Sequence, residues 1–163
     1  MTVPAVEIVE ADLARPPHQQ AVLALTDAYA RDAMGNGAPL AADVLAQLVP
    51  SLRAHPTTVI LLAYADGEAV GIATCFLGFS TFAARPLLNV HDLAVLPAYR
   101  GRGIARQLLA AAEAKARALD CCKLTLEVQE NNHRARRLYA RAGFAQNVYQ
   151  EAAGGALFYA KPL

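Results

Sequence analysis

"NVHDLAVLPAYRGRGIARQLL", residues 89–109, passes from an apolar strand through a knot of arginines and glycines into an amphipathic helix. The strand reads as Leu88–Leu96, and the helical stripe Ile104, Leu108, Leu109, Ala112 begins directly after Gly103. The first N–H groups of a helix have no intrahelical acceptor and carry the positive end of its dipole. Glycines let an anion approach the backbone closely, and Arg100, Arg102 and Arg106 add charge. The turn Arg100-Gly101-Arg102-Gly103-Ile104-Ala105 therefore reads as a cradle for a phosphate or pyrophosphate. A solvated turn with surface arginines is the competing reading.

Outward from that stretch, the chain alternates helix and strand patterns. "PAVEIVEA" (4–11) alternates as a first strand, and "HQQAVLALTDAYARDAM" (18–34) is an amphipathic helix with Val22, Leu25 and Tyr29 on one stripe, ended by "GNGAP". "LAADVLAQLVPSLRAHP" (40–56) is a second helix, expected to break or kink near Pro50. "TTVILLAY", the turn "ADGEA" and "VGIATCFLGF" form a hairpin, and "STFAARP" (80–86) reads as a loop into the central strand. After the helix Ile104–Leu119 comes a strand "KLTLEV" (123–128), then the short helix within "NNHRARRLYARAGF" (131–144). Asn131 or Asn132 is its N-cap and Gly143 its C′ residue. "FAQNVYQEA", "AGG" and "ALFYAK" close the chain as a second hairpin. The order β-α-α-β-β-β-α-β-α-β-β is an α/β domain with a mixed sheet and helices on its faces, one domain over 1–163.

Bulk properties narrow the function. A chain of 163 residues with 55% hydrophobic and 18% charged residues can bury a full core without staples. A net charge of +1 offers no general attraction to nucleic acid, membrane or acidic partners, so any anion site must be local. Met1–Glu10 lacks a basic segment leading into an apolar one, and the longest apolar run, Val59–Ala65, is too short to span a bilayer. Cys75, Cys121 and Cys122 are odd in number and lack metal-ligand spacing, which predicts reduced, structural cysteines and no metal. A cytoplasmic protein is expected. The arginines at 134, 136, 137 and 141 have no interleaved aromatic platform and read as a solvated helix face. His18, His55 and His133 read as surface residues.

Among phosphate-binding turns, a Walker A loop needs GK[ST], which is absent, and a dinucleotide fingerprint needs a third glycine where Arg106 stands. "RGRGIA" instead resembles, at every defined position, the Q/R-x-x-G-x-G/A turn of the GCN5-related N-acetyltransferase (GNAT) superfamily. "NNHRARRLYARAGF" resembles that family's N-x-x-A-x-x-L-Y…GF segment, and the element order is similar as well. The resemblance implies a GNAT fold with a mixed, mostly antiparallel central sheet flanked by about four helices. It implies acetyl-CoA as cosubstrate, with its pyrophosphate on Arg100, Gly101, Arg102, Gly103, Ile104, Ala105 and Arg106. It further implies that the backbone of Leu93, Ala94 and Val95 holds the pantetheine arm and acetyl carbonyl, with Asn132 also at the cofactor.

For catalysis, the resemblance makes Tyr139 the acid for the leaving thiolate; an unperturbed phenol with a pKa of ~10 is protonated at neutrality. His91 and Asp92 stand where polyamine acetyltransferases carry two adjacent acids, so either of them, or ordered water, is the candidate base. "FSTFAARP" resembles the loop of the spermidine/spermine and thialysine N-acetyltransferase branch, which implies a small-molecule amine acceptor, polyamine or amino-acid-like. A protein or peptide N-acetyltransferase and a non-catalytic acyl-CoA-binding sensor are the alternatives. Family habit implies a homodimer.

Overall fold

The computed structural model describes residues 5–163; Met1–Pro4, including the first residue of the expected opening strand, lie outside them. The described chain divides into two compact units, one running to Leu126 and the other Glu127–Leu163.

The first unit contains β1 (Val6–Glu10), α1 (Pro16–Arg31), α2 (Ala42–Ala54), β2 (Thr58–Ala65), β3 (Glu68–Ser80), β4 (Arg85–Val95), α3 (Ile104–Ala118) and β5 (Leu124–Leu126). The five strands lie in chain order, antiparallel except for the parallel β4–β5 pair. β2 is apolar on both faces because both are covered, as expected of a central strand. Ile60 and Leu62 meet Val22 and Leu25 of α1 and Val49 of α2, while Val59, Leu61 and Ala63 meet Ile104, Leu108 and Ala112 of α3. The β2–β3 hairpin turns on Asp66 (φ +51°) and Gly67 (φ +81°), the two positive-φ positions that an Asp-Gly pair supplies.

Gly71 on β3 sets how close α3 comes. A Cβ there would lie 3.2 Å from Leu108 Cδ1 and 3.3 Å from both Ile104 Cγ2 and the Ala94 carbonyl oxygen. Without it, the first turn of α3 rests directly on the sheet beside the end of β4.

Several expectations are corrected. α2 runs unbroken through Pro50, although Pro50 has no N–H to donate; burying Val49 against β2 and β3 outweighs the lost bond, and the chain leaves the helix only at His55. The connection expected over 80–86 is shorter than the sequence suggests, because strand enters it from both ends. β3 continues to Ser80 and β4 starts at Arg85, leaving a tight turn over 81–84 that Arg85 fastens through Asp120 Oδ1 (2.7 Å). His18 is buried, not exposed, and its Nδ1 accepts the Asp12 N–H at 2.8 Å, tying down the turn before α1.

The second unit contains α4 (His133–Arg141). The C-terminal hairpin is absent among the described residues: past α4 there is only a short 3₁₀ turn (Glu151–Ala153) and one cross-segment backbone bond, Ala156 N–H to the Asn147 carbonyl (2.9 Å). An isolated two-stranded ribbon is marginal in water, and Asn147, Gly154 and Gly155 weaken it further.

Candidate active site

The strand pairing makes the site. Thr74 of β3 stands opposite Asp92 and Cys75 opposite Val90, so His91 is an extra residue, a β-bulge in β4. β5 pairs with β4 only over Leu88–Val90. The two strands therefore part at the bulge.

Backbone direction past the bulge follows from two bonds. Leu88 N–H donates to Lys123 O on the β5 side (3.1 Å), whereas Leu96 N–H donates to Val70 O on the β3 side (2.9 Å). Alternation back from Leu96 turns the Ala94 N–H toward β3 and the Leu93 and Val95 N–H groups toward the side that β5 has left. Of the three expected residues, Leu93 and Val95 thus offer donors to the split, and Ala94 serves the sheet. This is the geometry an oxyanion or amide-bearing ligand requires: fixed donors along one open edge.

The bulge also sets the side chains. Ala94 and Leu96 pack in the cluster under α1 and α2, so alternation places Asp92 on that face. The His91 ring packs edge-on to Phe76 (5.5 Å), which is itself edge-on to His55 (5.0 Å). Phe76 shares the face of Ile72, a member of the same cluster, so His91 and Asp92, neighbours in sequence, reach one face together.

Asp92 has no hydrogen-bond or ion-pair partner among the described residues. Burial pushes its carboxyl above the usual carboxylate range, and a positive charge on His91 acts in the opposite direction. Its negative charge in turn raises the Tyr29 phenol of α1, behind the larger effect of burial. The Cys75 thiol is pushed up to about 12 by burial and by Asp92, so it is a structural group and not a nucleophile.

The raised Asp92 group has a consequence for stability. The folded state binds this proton more tightly than the unfolded state, so the contribution is present below the ordinary carboxylate pKa and is lost as pH rises through the raised value. Asp92→Asn is therefore expected to raise the thermal midpoint at neutral pH, with the gain shrinking toward acid. Midpoints measured against pH for both proteins check this; a constant difference would remove it.

At the far end of β4, Gly103 (φ +77°) is the N-cap of α3 and Gly101 has φ +76°. A Cβ on either would meet nothing within 4 Å, so the space in front of both is open. Ile104 is buried and anchors the helix, while Gln107 N–H makes the first bond back, to Gly103 O (3.1 Å). The N–H groups of Ile104, Ala105 and Arg106 precede any intrahelical acceptor. Arg100 turns inward: its Nε donates to Val95 O (3.0 Å) and its Nη2 to Asp32 Oδ2 (2.6 Å). Arg102 donates to Ala98 O (3.0 Å) and lies over the Tyr99 ring, 5.0 Å from its centre. Arg106 is exposed. The turn is braced by side chains while its backbone stays open.

In the second unit, Asn132 rather than Asn131 is the N-cap of α4, and its Oδ1 accepts the Ala135 N–H (3.1 Å). The helix ends in a Schellman motif: Phe144 N–H bonds Tyr139 O (2.9 Å), Gly143 N–H bonds Ala140 O (3.1 Å), and Gly143 has φ +90°. The same turn folds Phe144 edge-on against the Tyr139 ring, with centres 6.0 Å apart. The "GF" pair after the tyrosine thus holds its ring. Arg134, Arg136, Arg137 and Arg141 are exposed, in line with a solvated helix face.

The model of the acetyltransferase (GNAT) family matches residues 22–144, which includes β4, the glycine turn, α3 and α4. The chain belongs to this family. An uncharacterized N-acetyltransferase of Archaeoglobus fulgidus is 36% identical over 97 residues, 59% of this chain and 63% of that protein. The aminoalkylphosphonate N-acetyltransferase of Salmonella typhimurium is 33% identical over 95 residues, 58% of this chain and 62% of that protein. The chain therefore spans about three fifths of the length of these curated relatives. In fold, it is similar to the aminoglycoside N-acetyltransferase AAC(6')-Iy bound to a CoA bisubstrate analogue, with TM-score 0.75, 19% identity, and coverage of 98% of this chain and 99% of that one.

As a GNAT fold, the chain has the mixed, mostly antiparallel five-stranded sheet expected of it. Sequence reading missed Tyr29, Asp32 and Phe76 as neighbours of the site. Tyr29 was legible only as part of a helical stripe; nothing local marks a tyrosine or aspartate that will meet a strand some 60 positions away. Among the described residues no helix is long and apolar enough to cross a membrane, and no three His, Cys, Asp or Glu side chains cluster as for a metal.

Proposed function

We propose that this GNAT chain is an acetyl-CoA-dependent N-acetyltransferase that passes an acetyl group directly to a primary amine of a small molecule. The observation that carries this reading is the opened edge of β4, with the Leu93 and Val95 N–H groups facing the split and the glycine turn at its end. The residues present suit acetyl-CoA. The open space before Gly101 and Gly103, and the uncommitted N–H groups at the start of α3, form a cradle that a Cβ would fill. Leu93, Val95, Gly101, Arg102, Gly103, Ile104, Ala105, Arg106 and Asn132 are assigned to holding it, with Ala94 fixing the strand to the sheet between the two donors and Arg100 bracing the turn.

When bound, acetyl-CoA supplies the activated acyl group as a thioester. The backbone donors of Leu93 and Val95 stabilise negative charge on its carbonyl oxygen. An alkylamine with a pKa of ~10 arrives protonated and must lose that proton before attack. His91 accepts it, directly or through one water, beside the Asp92 carboxyl that draws the cation in. Tyr139, assigned by its place in the L-Y…GF motif, gives its phenolic proton to the departing sulfur.

The acceptor is read as a polyamine or an amino-acid-like amine. The Salmonella relative is an aminoalkylphosphonate N-acetyltransferase, and its aminoalkyl substrate supports a small amine here. The family resemblance extends the reading to a homodimer in the cytoplasm, with the whole chain as one acetyltransferase domain.

Thiol release from acetyl-CoA, followed over diamines, amino acids, aminoalkylphosphonates and aminoglycosides, tests the reading. Amine-dependent release is expected. Acetyl-CoA binding with no response to any amine would favour an acyl-CoA sensor instead. On a working acceptor, His91→Ala is expected to lower turnover and abolish the acid limb of the pH–rate profile, because the wild-type base must be deprotonated. An acid limb in its original place at a near-normal rate would leave Asp92 or a water relay as the base.

A further inference from the structure

The ion pair between Arg100 and Asp32 joins parts of the first unit that are 68 positions apart. Asp32 is the C-cap of α1, its N–H bonded to the Tyr29 carbonyl (3.1 Å). One of its carboxylate oxygens, Oδ1, accepts the Met34 N–H (2.9 Å), and its backbone carbonyl receives the N–H groups of Gly35 (2.9 Å) and Gly37 (3.2 Å). The other oxygen takes Arg100 Nη2 at 2.6 Å, and both side chains are largely shielded, 18% and 30% exposed. Arg100 Nε then reaches the Val95 carbonyl. Val95 is the last residue of β4, and its N–H faces the split.

We propose that Asp32 is a positioning residue for acyl transfer: it clamps the Arg100 guanidinium against Val95, so that the donor edge of β4 and the glycine turn keep one spacing. The inference rests on the function proposed above. A planar guanidinium can hold a carbonyl and a carboxylate at once in fixed directions, which a lysine ammonium on a flexible stem cannot. With Asp32 removed, Arg100 is free to swing toward solvent, and the turn loses its tie to the strand. The end of α1 and the cofactor turn are thereby set by one contact.

Calorimetric titration with acetyl-CoA tests this without requiring turnover. Asp32→Asn keeps an oxygen for the Met34 N–H but removes the charge that Arg100 holds, so the connection after α1 stays formed. It is expected to weaken acetyl-CoA binding about tenfold, the scale of one charge-assisted hydrogen bond. Arg100→Lys should do the same, and the double variant should be no worse than either single one, because both break the same clamp. Losses that multiply in the double variant, or unchanged affinity in a folded Asp32→Asn protein, overturn the inference. If the unaltered chain binds no acetyl-CoA, the proposed function falls and this inference with it. Binding by the unaltered chain that both variants leave intact removes the clamp alone.

Discussion

Gly103→Val is expected to weaken acetyl-CoA binding by on the order of 10²-fold while leaving the chain folded, since it both blocks and distorts the helix start. Gly103 sits at φ +77°, where a β-branched residue is strained, and that strain is worth about 1–2 kcal/mol of stability. The new side chain would project into space that is empty of protein, so no core contact is disturbed. What it does meet is any anion seated on the N–H groups of Ile104, Ala105 and Arg106. Binding should suffer more than folding. Calorimetry with acetyl-CoA, paired with a thermal melt, separates the two effects. Unchanged affinity in the folded variant would remove the cradle.

Tyr139→Phe is expected to keep acetyl-CoA affinity and lower turnover by on the order of 10²-fold, the lower range for a general acid. The ring contact with Phe144 and the Schellman bonds do not involve the hydroxyl, so α4 should end as before. Turnover and affinity are thereby read separately. A near-normal rate would mean that water or another donor protonates the leaving sulfur.

Much of the site was legible because its devices are local. A glycine that caps α3 and the Asn132 and Gly143 caps of α4 are governed by dihedral preference and orphan backbone groups within a few residues. The periodicity of Ile104, Leu108 and Ala112 likewise revealed the face that α3 buries. Local pattern misled where tertiary packing outweighs it. Pro50 stands inside an unbroken helix because the helix lies against the sheet, and the alternation after Phe144 forms no strands because a ribbon needs a neighbour. His18 reads as a surface residue, yet it is buried beside Tyr64 of β2 while it ties down the turn before α1.

The α/β element order through α4, the Asp-Gly hairpin turn, the glycine start of α3 and the capped helix that carries Tyr139 all follow from local sequence. Each depends on torsion angles and hydrogen bonds between residues close in the chain. That His91 is the bulged residue emerges from the pairing of strands, because a bulge is a mismatch of register with β3 and does not exist in β4 alone. The same holds for the burial that raises Asp92, the parting of β4 from β5 after Val90, and the ion pair of Arg100 with Asp32. These are pairings between distant segments, and their free energy is set by which surfaces meet when the sheet closes.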